Sequence, residues 1–173
     1  QQRLQESLAL ALQGGFHEHA ARVYTNVGEH AVVFKDFARA ETFITEGIRF
    51  DTEHDLDAWT HYLTGWLAQL RFEQGRYDQA QQIAQQVLSI DRLTSVMRLP
   101  ALTVLARLQV RRGEAQGVRR LEEALALAQP TGESQRIVPV LCGLCEAAWQ
   151  LGDDSACLAA LRWAEGLPGA RVN

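Results

Sequence analysis

Apolar positions recur along this chain at helical spacing, and the clearest run lies between Leu63 and Leu88. Leu63, Leu67 and Leu70 stand at i, i+4 and i+7. Beyond Gly75-Arg76-Tyr77-Asp78, residues Ala80, Ile83, Ala84, Val87 and Leu88 stand at i, i+3, i+4, i+7 and i+8. Two such stripes joined by so short a turn predict an antiparallel helix pair. Gly75 tolerates the left-handed conformation that ends a helix. Tyr77 is expected to wedge its ring between the two helices, and Ala80 is small enough to let them approach. One pair buries too little apolar surface to stand alone, so copies are expected beside it.

The copies are visible at the turns. Phe34-Lys35-Asp36-Phe37-Ala38-Arg39-Ala40 precedes Gln74-Gly75-Arg76-Tyr77-Asp78-Gln79-Ala80 in register by 40 residues. Arg112-Gly113-Glu114-Ala115 follows with its Gly 38 residues after Gly75, and Leu151-Gly152-Asp153-Asp154 lies 39 further on. Pro100 and Pro139 are also 39 apart. Each precedes an apolar run, and each is expected in the first turn of a helix, where a missing N–H is tolerated. The pattern predicts helices over about 2–13, 16–34, 37–51, 56–74, 77–89, 98–112, 115–128, 135–150 and 153–166. Asp55 or Asp57 is the expected cap of the fourth. Gly14-Gly15, Gln129-Pro130-Thr131-Gly132 and Pro168-Gly169 are the expected breaks. No segment alternates with period two. The fold expected is all-α, an α-solenoid of stacked antiparallel helix pairs with roughly nine helices, as a single domain over 1–173. It comprises a partial repeat (1–15) and four repeats (16–54, 55–94, 95–132 and 133–173). The first residues already read as mid-helix, so a segment of a longer protein is expected, self-associating through its uncovered ends.

Composition removes several function classes. A net charge of −4 and a pI near 5.7 give no basic face for direct nucleic-acid contact. No apolar run reaches the length of a membrane span. Lys35 is the only lysine among 17 basic residues, read as a bias of genome composition. Three cysteines, an odd number, in a helical chain fit a reducing cytoplasm better than a disulfide framework.

The repeat resembles the tetratricopeptide repeat, in which an aromatic, a Leu and a small residue mark the first helix, and Gly, an aromatic and Ala mark the turn and second helix. Tyr24, Val27, Gly28, Phe37, Ala40, Ile44 and Ile48 carry the likeness in the first repeat. Leu67, Ala68, Gly75, Tyr77, Ala80 and Leu88 carry it in the second. The third keeps Leu105, Ala106, Gly113 and Leu125 but loses the turn aromatic and the following Ala. The fourth keeps Leu144, Cys145 and Gly152. The period exceeds the usual 34 residues, and the prolines that end standard repeats are absent. Longer, divergent repeats of this kind are similar to the helical-repeat region of large ATP-binding LuxR-type transcriptional regulators, the MalT-like group. The phrases His19 to Gly28, Trp59 to Trp66, Arg111-Arg112-Gly113 and Glu122 to Ala128 carry that likeness. In such regulators an ATPase precedes the repeats and a DNA-binding helix-turn-helix follows them. Neither part is found among these residues, which have no Gly-x-x-x-x-Gly-Lys loop, so ATP and DNA binding do not transfer to them.

First helices of stacked pairs line the concave side of a solenoid. Alignment on the turns puts Arg22, Asn26, Glu29, Tyr62, Gln69, Phe72, Arg107, Arg111, Glu146 and Trp149 there. One reading is a groove combining aromatic platforms with Arg, suited to an acidic or polar ligand, peptide or sugar. The other makes the aromatics inter-repeat core and the charges a solvated face. Cys142-Gly143-Leu144-Cys145 has metal-knuckle or redox spacing, but inside an apolar helix both sulfurs read as small core residues. His17-Glu18-His19 diverges around a helix and reads as solvated. Asp51, Glu53, Asp55 and Asp57 lack the Gly of a metal loop and read as capping and solubilising. No Gly-x-Ser-x-Gly elbow is present. The expectation is a non-catalytic scaffold without cofactor, binding a protein or peptide and a small-molecule inducer in the groove. A free-standing adaptor bridging two proteins is the alternative, and a hydrolase on a helical scaffold a third.

Overall fold

One kind of turn, used repeatedly, sets the dimensions of the molecule. The computed structural model describes residues 2–167. Within them lie α1 (Gln2–Gln13), α2 (His17–Val33), α3 (Phe37–Glu53), α4 (Asp57–Glu73) and α5 (Tyr77–Leu88). α6 (Ser95–Arg111), α7 (Gln116–Ala128), α8 (Ser134–Leu151) and α9 (Asp154–Gly166) follow, with a 3-10 turn at Gln129–Thr131. The described residues contain no strand. The fold is all-α, as the periodicity predicts.

Three residues separate each of the first four helices from the next. The middle one is left-handed every time: Gly15 (φ 67°), Lys35 (61°), Asp55 (55°) and Gly75 (75°). The N–H of the residue after it donates back to a carbonyl of the preceding helix. Phe16 reaches Ala11 (2.8 Å), Asp36 reaches Ala31 (2.9 Å), Leu56 reaches Asp51 (2.8 Å) and Arg76 reaches Arg71 (2.8 Å). This is a Schellman closure, which satisfies carbonyls that the helix end leaves without a partner. α2, α3 and α4 each have 17 residues, so helix plus link makes a 20-residue unit and two units make the 40-residue period. Gly113 and Gly152 close α6 and α8 in the same manner, with Glu114 donating to Gln109 and Asp153 to Ala148, both at 2.9 Å.

Contacts divide the chain into two units, one up to Leu93 and one from Thr94 onward. In the first, α1 packs on α2, α2 on α3, α3 on α4 and α4 on α5, and α2 also packs on α4. In the second, α6 packs on α7, α7 on α8 and α8 on α9, and α6 also packs on α8. Consecutive helices in contact, with first helices touching across repeats, are the stacked pairs of an α-solenoid. Val32, Ile44, Leu63, Leu70 and Val87 form the fully buried centre of the first unit. Val104, Leu108, Leu121, Val140 and Leu141 form that of the second.

Several local expectations are corrected. α6 starts at Ser95, where the Thr94 hydroxyl accepts from the Met97 N–H at 3.4 Å, and α8 starts at Ser134. Pro100 and Pro139 therefore sit in the second turn, at the sixth position of each helix, where each removes one backbone hydrogen bond. Neither Asp55 nor Asp57 caps α4. Leu56 stands at the cap without a side-chain bond, and Asp55 is the left-handed residue. Asp36 and Asp153 are caps, accepting from Arg39 N–H (3.3 Å) and Ala156 N–H (3.0 Å). Tyr77 is exposed, with its ring 5.6 Å from that of Phe72, rather than wedged between helices. Leu67 is only half-buried whereas Trp66, Ala68 and Gln69 are buried, because α4 is packed by α2, α3 and α5 and has no single apolar stripe. The break expected at Pro168-Gly169 lies outside the described residues.

Candidate functional site

The ten residues aligned on the groove fall into three environments. On α2, Arg22 and Asn26 are exposed one turn apart, and Glu29 follows half-buried. Spacing of i, i+4 and i+7 puts them on one face. That face stays polar although α2 packs against α1, α3 and α4. On α4, Tyr62, Gln69 and Phe72 are buried, Phe72 to 2% exposure. Gln69 donates to Glu73 (2.9 Å), and Phe72 meets Tyr77. Tyr62 and Phe72 are thus packing residues and present no open platform.

In the second unit the structure joins three residues of the set into one group. Glu146 of α8 accepts from Nε of Arg107 at 2.9 Å and from Nε of Arg111, both on α6. The side chains of Arg107 and Glu146 keep only 15% and 18% of their exposure, so this triad ties neighbouring first helices together. Trp149, one turn beyond Glu146, stands clear of it at 74% exposure.

The first unit carries corresponding polar ties. Arg71 of α4 grips Glu41 of α3 with both terminal guanidinium nitrogens, Nη2 to Oε1 at 2.6 Å. That grip holds the Glu41 carboxyl below its ordinary range. Lys35 pairs with Glu73, and the Trp59 indole N–H donates to Glu18 at 2.6 Å.

The last of these ties leads to a cluster missed in the sequence. Asp51, in the last turn of α3, is wholly buried, and neither carboxylate oxygen has a hydrogen-bond partner. Burial pushes its carboxyl up to about 7, the charge of Glu18 adds to the shift, and His54 opposes it. His17 of α2 meets His54 at 3.9 Å between ring centroids, His54 stacks on Phe50 at 4.2 Å, and His54 Nδ1 lies 2.8 Å from the Phe50 carbonyl. Asp51 is therefore neither a cap nor a solubilising residue. His17 and Glu18, although exposed, are engaged with α3 and α4 rather than simply solvated. Spacing gave one clue: Asp51 lies seven residues after Ile44, on the buried face of α3. The density of acids beside it hid that signal.

Cys142 is exposed and Cys145 half-buried, which corrects the reading of both sulfurs as core. Among the described residues no three His, Cys, Asp or Glu side chains converge so as to hold a metal ion. No described helix is long and apolar enough to cross a membrane. The fold and its polar ties define an all-α helical-repeat protein in which one face of α2 is open and polar. No protein-family model and no curated protein sequence matches the chain.

Proposed function

We propose that this chain is a non-catalytic binding scaffold, acting as the cytoplasmic sensor and interaction region of a LuxR-type regulator of the MalT-like group. The observation that carries the reading is the α2 face. Arg22 and Asn26 remain open on a helix held from three sides, which is how a repeat array presents rigid recognition groups. An Arg beside an amide suits a carboxylate, a phosphate or a peptide backbone. A ligand there acts by binding one packing of the helix pairs better than another, and that bias passes to neighbouring domains. The likeness of the repeat phrases to the MalT-like group supplies the regulatory context. The alternative is an adaptor that bridges two proteins.

A thermal-shift screen against small sugars, nucleotides, acidic metabolites and short peptides tests the reading. A ligand at ~100 times its Kd stabilises the fold by roughly 2.7 kcal/mol. A hit abolished by Arg22→Ala with Asn26→Ala, in a variant of unchanged helicity, supports the sensor. A hit indifferent to both substitutions removes the α2 face. A silent screen followed by specific pull-down of a protein partner favours the adaptor.

A further inference from the structure

We propose that Cys145 and Cys157 form a modification site, joined by a hydroperoxide into a disulfide that staples α8 to α9. The position of each thiol in the repeat is the first observation. Counting back seven residues from the left-handed turn residue gives Gly28, Ala68, Ala106 and Cys145. Counting forward five gives Ala40 and Ala80 in the first unit and Cys157 in the last pair. Gly28, Ala40, Ala68, Ala80 and Ala106 are all buried. In the third pair the count of five falls on the half-buried Val118, and the buried small residue is Gly117, one place earlier, where a Cβ would lie 2.9 Å from the Ala106 carbonyl oxygen. These are positions where paired helices approach too closely for a large side chain. In the last pair both are cysteine.

Direct contact is the second observation. The Cys145 thiol donates to the Cys157 carbonyl oxygen at 3.5 Å, which brings it against the residue that carries the second thiol. Both residues are half-buried, so a small peroxide reaches them. Burial, with the neighbouring Cys157 and Cys142, pushes the Cys145 thiol up to about 11, which makes it the later participant. Cys157 sulfur attacks the distal peroxide oxygen, giving Cys157 sulfenic acid and releasing the alcohol, or water from hydrogen peroxide. The Cys145 sulfur then bonds to the Cys157 sulfur. Its proton leaves with the sulfenic hydroxyl as water, and the two electrons lost by the sulfurs have reduced the O–O bond.

The test uses the full chain carrying Cys142→Ser, treated with hydrogen peroxide, blocked with N-ethylmaleimide and digested after glutamate. Cleavage at Glu133, Glu146 and Glu165 separates Cys145 from Cys157. The expected product is peptide 134–146 linked to 147–165, lighter than the free pair by two hydrogens. It separates on reduction, and the oxidised protein melts at a higher temperature than the reduced one. Cys157→Ala in the same background should lose both the linked peptide and the melting shift. Full maleimide labelling, conversion to sulfinic acid without linkage, or a dimer on a non-reducing gel would each overturn the proposal. So would a Cys142–Cys145 link as the sole product in the unsubstituted chain.

Discussion

Replacing Asp51 by Asn should stabilise the protein, and by an amount that grows with pH. The folded chain holds this carboxyl at about 7, against about 3.9 in an unfolded chain. Ionising it in place therefore costs the folded state roughly 4 kcal/mol once the pH exceeds 7. Because the folded value is the raised one, the native state holds an extra proton between about pH 4 and 7. Stability from this group falls as pH rises through that window and is level on either side. Asn keeps the shape and cannot ionise. Its amide lacks partners much as the neutral acid does, so that cost nearly cancels. Urea melts followed by circular dichroism should give a difference of under about 1 kcal/mol near pH 4.5, rising to roughly 2–4 kcal/mol by pH 8.5. Amide exchange should localise the gain to α3 and its neighbours α2 and α4. Glu18→Gln, which keeps an acceptor for Trp59, should flatten the pH dependence of the unsubstituted protein, since the Glu18 charge is the second cause of the shift. A variant less stable than its parent at pH 8.5, or a gain independent of pH, would refute the reasoning. The first result would mean that the Asp51 carboxylate has a partner when it ionises, the second that folding does not shift its titration within this range.

The turns give a matched pair of tests. Gly75→Ala meets no atom within 4 Å, so its cost is conformational alone, about 1–2 kcal/mol for a left-handed alanine. Asp55→Gly, at φ 55°, should gain about 1 kcal/mol for the same reason, and thermal melts showing both changes with one sign would contradict it. Gly117→Ala puts a Cβ 2.6 Å from the Val110 backbone nitrogen, and since backbone cannot swing aside it should destabilise the second unit by about 1–3 kcal/mol. Glu146→Ala leaves Arg107 and Arg111 facing one another without their shared acceptor. A loss of about 1–2 kcal/mol is expected, shrinking when either arginine is also removed, as a double-mutant cycle would show.

What the sequence disclosed divides along physical lines. Helices, turns and period were legible because each depends on local chemistry that recurs. The Gly75 turn announces its own geometry, and matching it at Lys35, where no glycine marks the place, requires only the register, whereas the left-handed turn at Asp55 lies between repeats and reads as a cap from its side chain alone. Thr94 was less visible, because Pro100 drew the expected start of α6 inward although a proline in the second turn is compatible with a helix capped upstream. The candidate site was harder, since alignment on the turns fixes which helix a residue occupies but not which neighbours close over it. Arg22 and Tyr62 hold equivalent places 40 residues apart, yet one is open and the other buried. The same limit hid Asp51, whose three acidic neighbours in sequence, Glu53, Asp55 and Asp57, are all exposed. Charge density in a link describes the link, whereas burial belongs to single positions and is decided by the helices packed across them. In this fold the two come apart within one turn of α3, so a carboxyl that composition assigns to solvent becomes the group with which solution pH most directly reaches the core.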